Sequence, residues 1–272
     1  MYTLPKKKNA VKTLILILAL FFDTVLCRAD SEKLVCGAYI EKNAGEAANI
    51  QSYEELCGIS NNIYLISIKN TYPKDKILEC YANGKIPMLL ISRRYSLSSI
   101  AALAEAAGEY DLPMYVCIGG DTVYYRYCVD MFRQKTKNTK FVQSIMLSDT
   151  VYEFAGKDYA DLLAITVTVN ENGGYAALYP AVKNADIPVM LNLAVCGYTE
   201  NGHSYHTFDA IKALDYIYGI KSNLPDKLFG INYINIHANG RNYDIYAEQK
   251  LRTVYGGLVC KWKDTAFGIE SF

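Results

Sequence analysis

Eight short apolar runs, each followed by a stretch of different character, constrain this chain more than any other feature. The clearest is Ile187-Pro-Val-Met-Leu-Asn-Leu-Ala-Val-Cys196, led by a proline and followed by a polar loop from Gly197 to His206. A run this short that is apolar on both faces predicts a strand buried on both sides, as in a parallel sheet covered by helices. The other seven runs are Leu34–Ile40, Asn62–Ile68, Ile86–Ser92, Leu112–Ile118, Lys140–Leu147, Leu162–Val169 and Leu228–Ile236. A proline stands at the first or second residue of the third, fourth and seventh runs, where a strand tolerates it.

Helices are expected between most of them. Ser52 to Cys57 starts with a capping-box spacing to Glu55. Pro73 opens the next helix and Gly84 ends it. Further helices are expected at Ser96–Tyr110, 122–137, Tyr175–Ala185, His206–Asn223 and from Asp244 to about Val259. Residues 153–161, Glu-Phe-Ala-Gly-Lys-Asp-Tyr-Ala-Asp, read as irregular. Eight strands with these connections in roughly 230 residues predict a single α/β domain, a (β/α)8 barrel spanning 34–262. The rival is a doubly wound open sheet. No G-x-G-x-x-G follows the first strand, which disfavours its dinucleotide-binding form.

Residues 1–29 are read as a separate segment. Lys6, Lys7, Lys8 and Lys12 precede the apolar stretch Thr13–Phe22, and small residues surround Cys27 and Ala29. This is the pattern of a secretory signal peptide; the alternative is an uncleaved N-terminal membrane anchor, shorter than the ~20 residues of a spanning helix. A secreted or cell-surface location is expected. The segment holds five of the 28 cations and one of the 28 anions, so the remainder carries a formal −4. With no basic stripe, nucleic acid is not an expected partner. Eight cysteines lack any C-x-x-C pair, and Cys36, Cys117 and Cys196 lie inside strand runs, where they are expected to be buried. His203 and His206 have no third ligand in sequence, so no metal site is expected. No phosphate loop or nucleophilic serine elbow occurs, and no cofactor is expected.

In such barrels chemistry sits at the C-terminal ends of the strands. The residues there are Tyr39, Glu41, Arg93, Asp121, Asp149, Asn170, Glu171, Asn192, Glu200, His203, Asn235 and His237. Flat rings stack on sugar faces, and Tyr39, Tyr198, Tyr205 and Tyr233 fall near strand ends. Arg93 is placed to anchor a polar group, and His237 to line a site.

Several segments resemble glycoside hydrolase family 26, exported (β/α)8 enzymes that cut β-mannans and some β-glucans. Gly37-Ala38-Tyr39 is similar to that family's first strand. Tyr125, Met131, Phe132 and Arg133 resemble its fourth-helix pattern. Phe154–Ile165 resembles its "Tyr-Pro-Gly-Asp-x-Tyr-Val-Asp-Trp-Ile-Gly" segment, and Ile187–Leu191 its "Lys-Pro-Ile-Met-Ile" strand. The resemblance implies two catalytic glutamates, after strands four and seven, about 5–5.5 Å apart for retaining hydrolysis. The strand-four glutamate falls on Asp121, and its preceding histidine on Gly120. The strand-seven Ser-Glu falls on Asn192 and Leu193. No acid occurs from Ile187 to Thr199.

Three functions follow as expectations, the third being a barrel whose cleft has moved to another ligand. One is a catalytically degenerate barrel that binds β-linked polysaccharide through Tyr39, Arg93, Asn192, Tyr198, Tyr233 and His237. The alternative is an active O-glycosyl hydrolase with a rearranged site, Asp121 as acid/base and Glu200 as second carboxylate.

Overall fold

A computed structural model describes residues 33–40, 49–68, 71–91, 95–147, 153–170, 175–196, 198–199, 207–238, 241–245 and 248–272. The signal-like segment 1–29, Glu41, Arg93, Asp149, Glu171, Glu200, His203, Tyr205 and His206 lie outside them.

Eight parallel strands close into a barrel: β1 (Val35–Ile40), β2 (Ile63–Ser67), β3 (Ile86–Ile91), β4 (Met114–Gly119), β5 (Thr139–Met146), β6 (Leu162–Val169), β7 (Val189–Val195) and, after a two-residue strand β8 (Tyr198–Thr199), β9 (Leu228–Asn235). Pairing of β9 with both β7 and β1 completes the ring. This is the expected (β/α)8 architecture. Seven helices are described around it: α1 (Ile50–Cys57), α2 (Lys74–Ala82), α3 (Leu97–Gly108), α4 (Thr122–Arg133), α5 (Leu178–Asn184), α6 (Thr207–Asn223) and α7 (Gln249–Trp262). Among the described residues no helix is long and apolar enough to cross a membrane.

Side chains alternate across each strand. One set, including Cys36, Tyr64, Leu89, Val116, Phe141, Leu191 and Leu193, packs against the helices. The other, including Ile63, Leu65, Met88, Tyr115, Cys117 and Met190, fills the barrel. All seven residues of β7 are buried, as its two-sided apolar sequence requires. Phe267, Ile269 and Phe272 pack against the interior set, with the Phe272 ring 5.0 Å from that of Tyr115. Asn62 holds this C-terminal segment by donating to the carbonyls of Asp264 and Phe267 at 2.9 and 2.8 Å.

Two expectations are corrected in detail. The cap of α1 is Asn49, whose side chain accepts from the Ser52 amide at 2.8 Å; Ser52 is the third helical residue, not the cap. The last helix starts at Gln249 rather than Asp244, because residues 241–244 are used elsewhere. The irregular segment 153–161 is held by side chains instead of by its own helix. Gln143 donates to the Glu153 carbonyl and accepts from the Ala155 amide, each at 2.9 Å. Arg126 donates to the Ala155 carbonyl at 2.9 Å and Arg133 to that of Asp158 at 2.6 Å, both lying over the Tyr159 ring.

Candidate functional site

The interior rows run up to a rim at the C-terminal ends of the strands. Continuing each row by its alternation puts Tyr39, Ser67, Gly119, Met146, Thr168 and Ala194 at that rim. Ser67, Met146 and Thr168 are exposed, and Tyr39 is half-buried. One layer deeper, Asn232 donates to the Asn192 side-chain oxygen at 3.0 Å. Gly37 makes this possible, since a Cβ there would stand 2.2 Å from the Asn232 Oδ1. That oxygen is buried without a hydrogen-bond partner. Burial pushes the neighbouring Cys117 thiol up to about 12, an effect that Ser144 and Asn192 only partly oppose. Among the described inward-facing strand residues none carries a carboxylate.

Asp121 follows Gly120, whose φ of 125° turns the chain out of β4 in a conformation that favours glycine. The Asp121 carboxylate caps α4, accepting from the Tyr124 amide at 2.9 Å. The residue is exposed. Leu193, the position that the resemblance gives to a glutamate, faces the helix layer and is wholly buried. Its inward-facing neighbours are Asn192 and Ala194.

Tyr233 is fully buried. Its hydroxyl donates to the Val195 carbonyl at 3.0 Å and its ring packs 5.1 Å from that of Tyr255 on α7. It therefore supports the barrel wall from the helix side and does not offer a stacking face to the rim. β8 contributes the Tyr198 backbone to a small sheet; the Tyr198 side chain lies outside the described residues.

Two strands of that small sheet come from the loop after barrel strand β9. β10 (His237–Ala238) and β11 (Arg241–Asn242) pair antiparallel, and β11 pairs with β8. Asn235 pins the loop from below. It donates to the Tyr39 carbonyl at 2.9 Å and to the Tyr53 hydroxyl at 3.3 Å, and accepts from the Ile245 amide at 3.0 Å. Tyr243 is buried against Ala194, Cys196, Ile234 and Ile236. Asp244 is buried too, and its Oδ2 lies 2.6 Å from the His237 Nε2. The His237 side chain itself is 50% exposed. The structure thus brings Tyr39, Asn192 and His237 to one end of the barrel, while Asp121 lies beyond the end of β4 as a helix cap. Sequence reading missed Asp244. The signal was present: Asn239-Gly240, a strong two-residue hairpin signal, stands between β10, which holds His237, and β11, which ends two residues before Asp244.

A cavity of about 50 Å³ lies between β1, β2, α1 and α2, lined in part by Asn49, Lys76 and Glu79. It has room for a few waters and is well below the ~300 Å³ of an ordinary ligand pocket. Among the described residues no group of three or more His, Cys, Asp or Glu is arranged to hold a metal.

No protein-family model matches this chain, and no curated protein sequence does. Solved structures do. An endo-beta-1,4-mannanase double mutant from Cellulomonas fimi superposes with a TM-score of 0.60 at 12% identity, over 89% of this chain and 73% of that one. A Bacillus subtilis mannanase gives 0.53 at 13%, over 82% and 85%. A beta-glucosidase from Thermotoga maritima gives 0.54 at 10%, over 78% and 85%. The barrel therefore has the fold of these glycoside hydrolases, and at such identities the likeness is one of fold.

Proposed function

We propose that this protein is an exported, catalytically degenerate member of the family 26 type that binds β-linked polysaccharide of the mannan or glucan kind at the C-terminal rim. One observation carries the reading. The rim keeps hydroxyl and amide groups suited to neutral sugars, yet the two positions where the resemblance expects glutamates hold a helix-capping Asp121 and an outward-facing Leu193. Retaining hydrolysis needs two carboxyl groups facing one another across the glycosidic bond. The fold shared with mannanases and a glucosidase supports a glycan as the ligand.

The test is gel retardation on mannans and mixed-linkage glucans beside reducing-sugar release on the same panel. Retardation without release is expected. Release that disappears in Asp121→Asn would overturn the degenerate reading and favour the hydrolase with Asp121 as acid/base and Glu200 as its partner. The substitution is informative because Asn caps a helix about as well as Asp, so lost turnover would not be lost folding. Absence of both signals would overturn the glycan reading.

A further inference from the structure

The described polar side chains of the loop after β9 differ sharply in exposure. Asn235 pins its base with three hydrogen bonds, Tyr243 is buried in an apolar cluster at the end of β7, and Asn242 accepts from the Asp244 amide at 2.7 Å. Each of these groups points inward. His237 alone of the loop's described polar side chains is half exposed, and it stands on a buried carboxylate. Burying a carboxylate is costly unless it is hydrogen-bonded or paired.

From this we infer that His237 contacts the bound glycan on the β9 side of the rim, and that Asp244 is its positioning residue. A carboxylate oxygen can only accept, so the 2.6 Å contact places the proton of the neutral ring on Nε2. Asp244 thereby fixes both the tautomer and the plane of the imidazole, as an outer partner does for a ring that must meet a ligand in one orientation. The half-exposed ring is thus held in one orientation, where a bound sugar can meet it. The contact half of this inference rests on the polysaccharide reading; the positioning half does not.

The experiment has two arms on the full chain. In the first, the ring nitrogen resonances of the three histidines are recorded by 15N NMR, with His237→Gln assigning His237. The wild type is expected to show His237 as the Nε2–H tautomer. Asp244→Asn is expected to convert it to a mixture, because an amide can present either its oxygen or its NH2 group. An unchanged His237 signature in Asp244→Asn would overturn the positioning role. In the second arm, mannohexaose and cellohexaose are titrated into wild type and His237→Gln. Movement of the His237 resonances and a roughly five- to tenfold weaker binding by the variant are expected, the size of one hydrogen bond. Equal affinity in a variant with an unchanged urea midpoint would overturn the contact role. Failure of the wild type to bind either hexasaccharide or any retarding polysaccharide would overturn the glycan reading and the contact role together, and the NMR arm would still decide Asp244.

Discussion

Asp121 shows how one carboxylate can satisfy two readings and how a small change separates them. Its oxygen accepts from the Tyr124 amide, a bond that a helix start would otherwise lack. Asp121→Ala is expected to cost about 1 kcal/mol of stability and Asp121→Asn only a few tenths, measured by urea unfolding. The cysteines make a second case. Cys36, Cys57, Cys80, Cys117, Cys128 and Cys196 are buried, and Cys260 is exposed. Burial pushes Cys36, Cys57, Cys80 and Cys117 up to about 12 and Cys128 up to about 11, so their reactive thiolates are scarce. Brief iodoacetamide treatment of the native protein followed by peptide mass spectrometry is expected to find label on Cys260 and none on those six. Denaturation in guanidinium should open all of them. Sequence alone placed Cys36, Cys117 and Cys196 correctly, because each interrupts an apolar strand without breaking its pattern.

The strands were legible for the same reason. Each is a short two-sided apolar run, and only a covered parallel sheet accommodates eight of those. The helices were legible from their place between strands; the one cap read in advance, Ser52, lies three residues inside the helix that Asn49 caps. What escaped was structure made by side chains reaching across elements. Segment 153–161 carries the strongest family resemblance but has no periodicity, and its shape depends on Gln143, Arg126 and Arg133 from neighbouring elements. The loop after β9 escaped likewise, since nothing local says that Asn235 bridges Tyr39, Tyr53 and Ile245. Asn235→Ala is expected to destabilise the fold by roughly 2–3 kcal/mol, because it strips partners from several buried backbone and hydroxyl groups at once. Urea midpoints of the variant and the wild type check this. Of the candidate site, Tyr39, Asn192 and His237 were readable as strand-end positions. Tyr233 was misplaced because adjacent residues on a strand point to opposite faces, and one step in register decides between rim and wall.

Taken as a whole, the barrel is expected to be sensitive to alkali. In a group whose pKa the fold raises, the stabilising contribution is complete below the unfolded value and is lost as pH rises through the folded one. For the four thiols raised from 9.0 to about 12 that window runs from pH 9 to 12. Buried tyrosines such as Tyr64 and Tyr233 shift in the same direction. Lys221 and Lys263, lowered by burial, act oppositely and are fewer. Thermal melts are expected to show a steady Tm from pH 7 to 9 and a steep fall above it. A flat profile to pH 11 would contradict the burial of these groups. The barrel floor gives a second expectation. Removing residues 265–272 takes Phe267, Ile269 and Phe272 out of the interior cluster, which should lower stability by roughly 3–5 kcal/mol in urea unfolding.

The seam between β1 and β9 has a consequence in time. Val35 to Ile40 align with Gly230 to Asn235, and Leu34 meets Trp262 and Lys263. A ribosome makes the first side of that seam some two hundred residues before the second. The cylinder cannot be sealed, nor its floor stoppered, until nearly everything else has been synthesised. Until then β1 is an edge without a neighbour on one side, a state that favours pairing with other chains and calls for a holding chaperone.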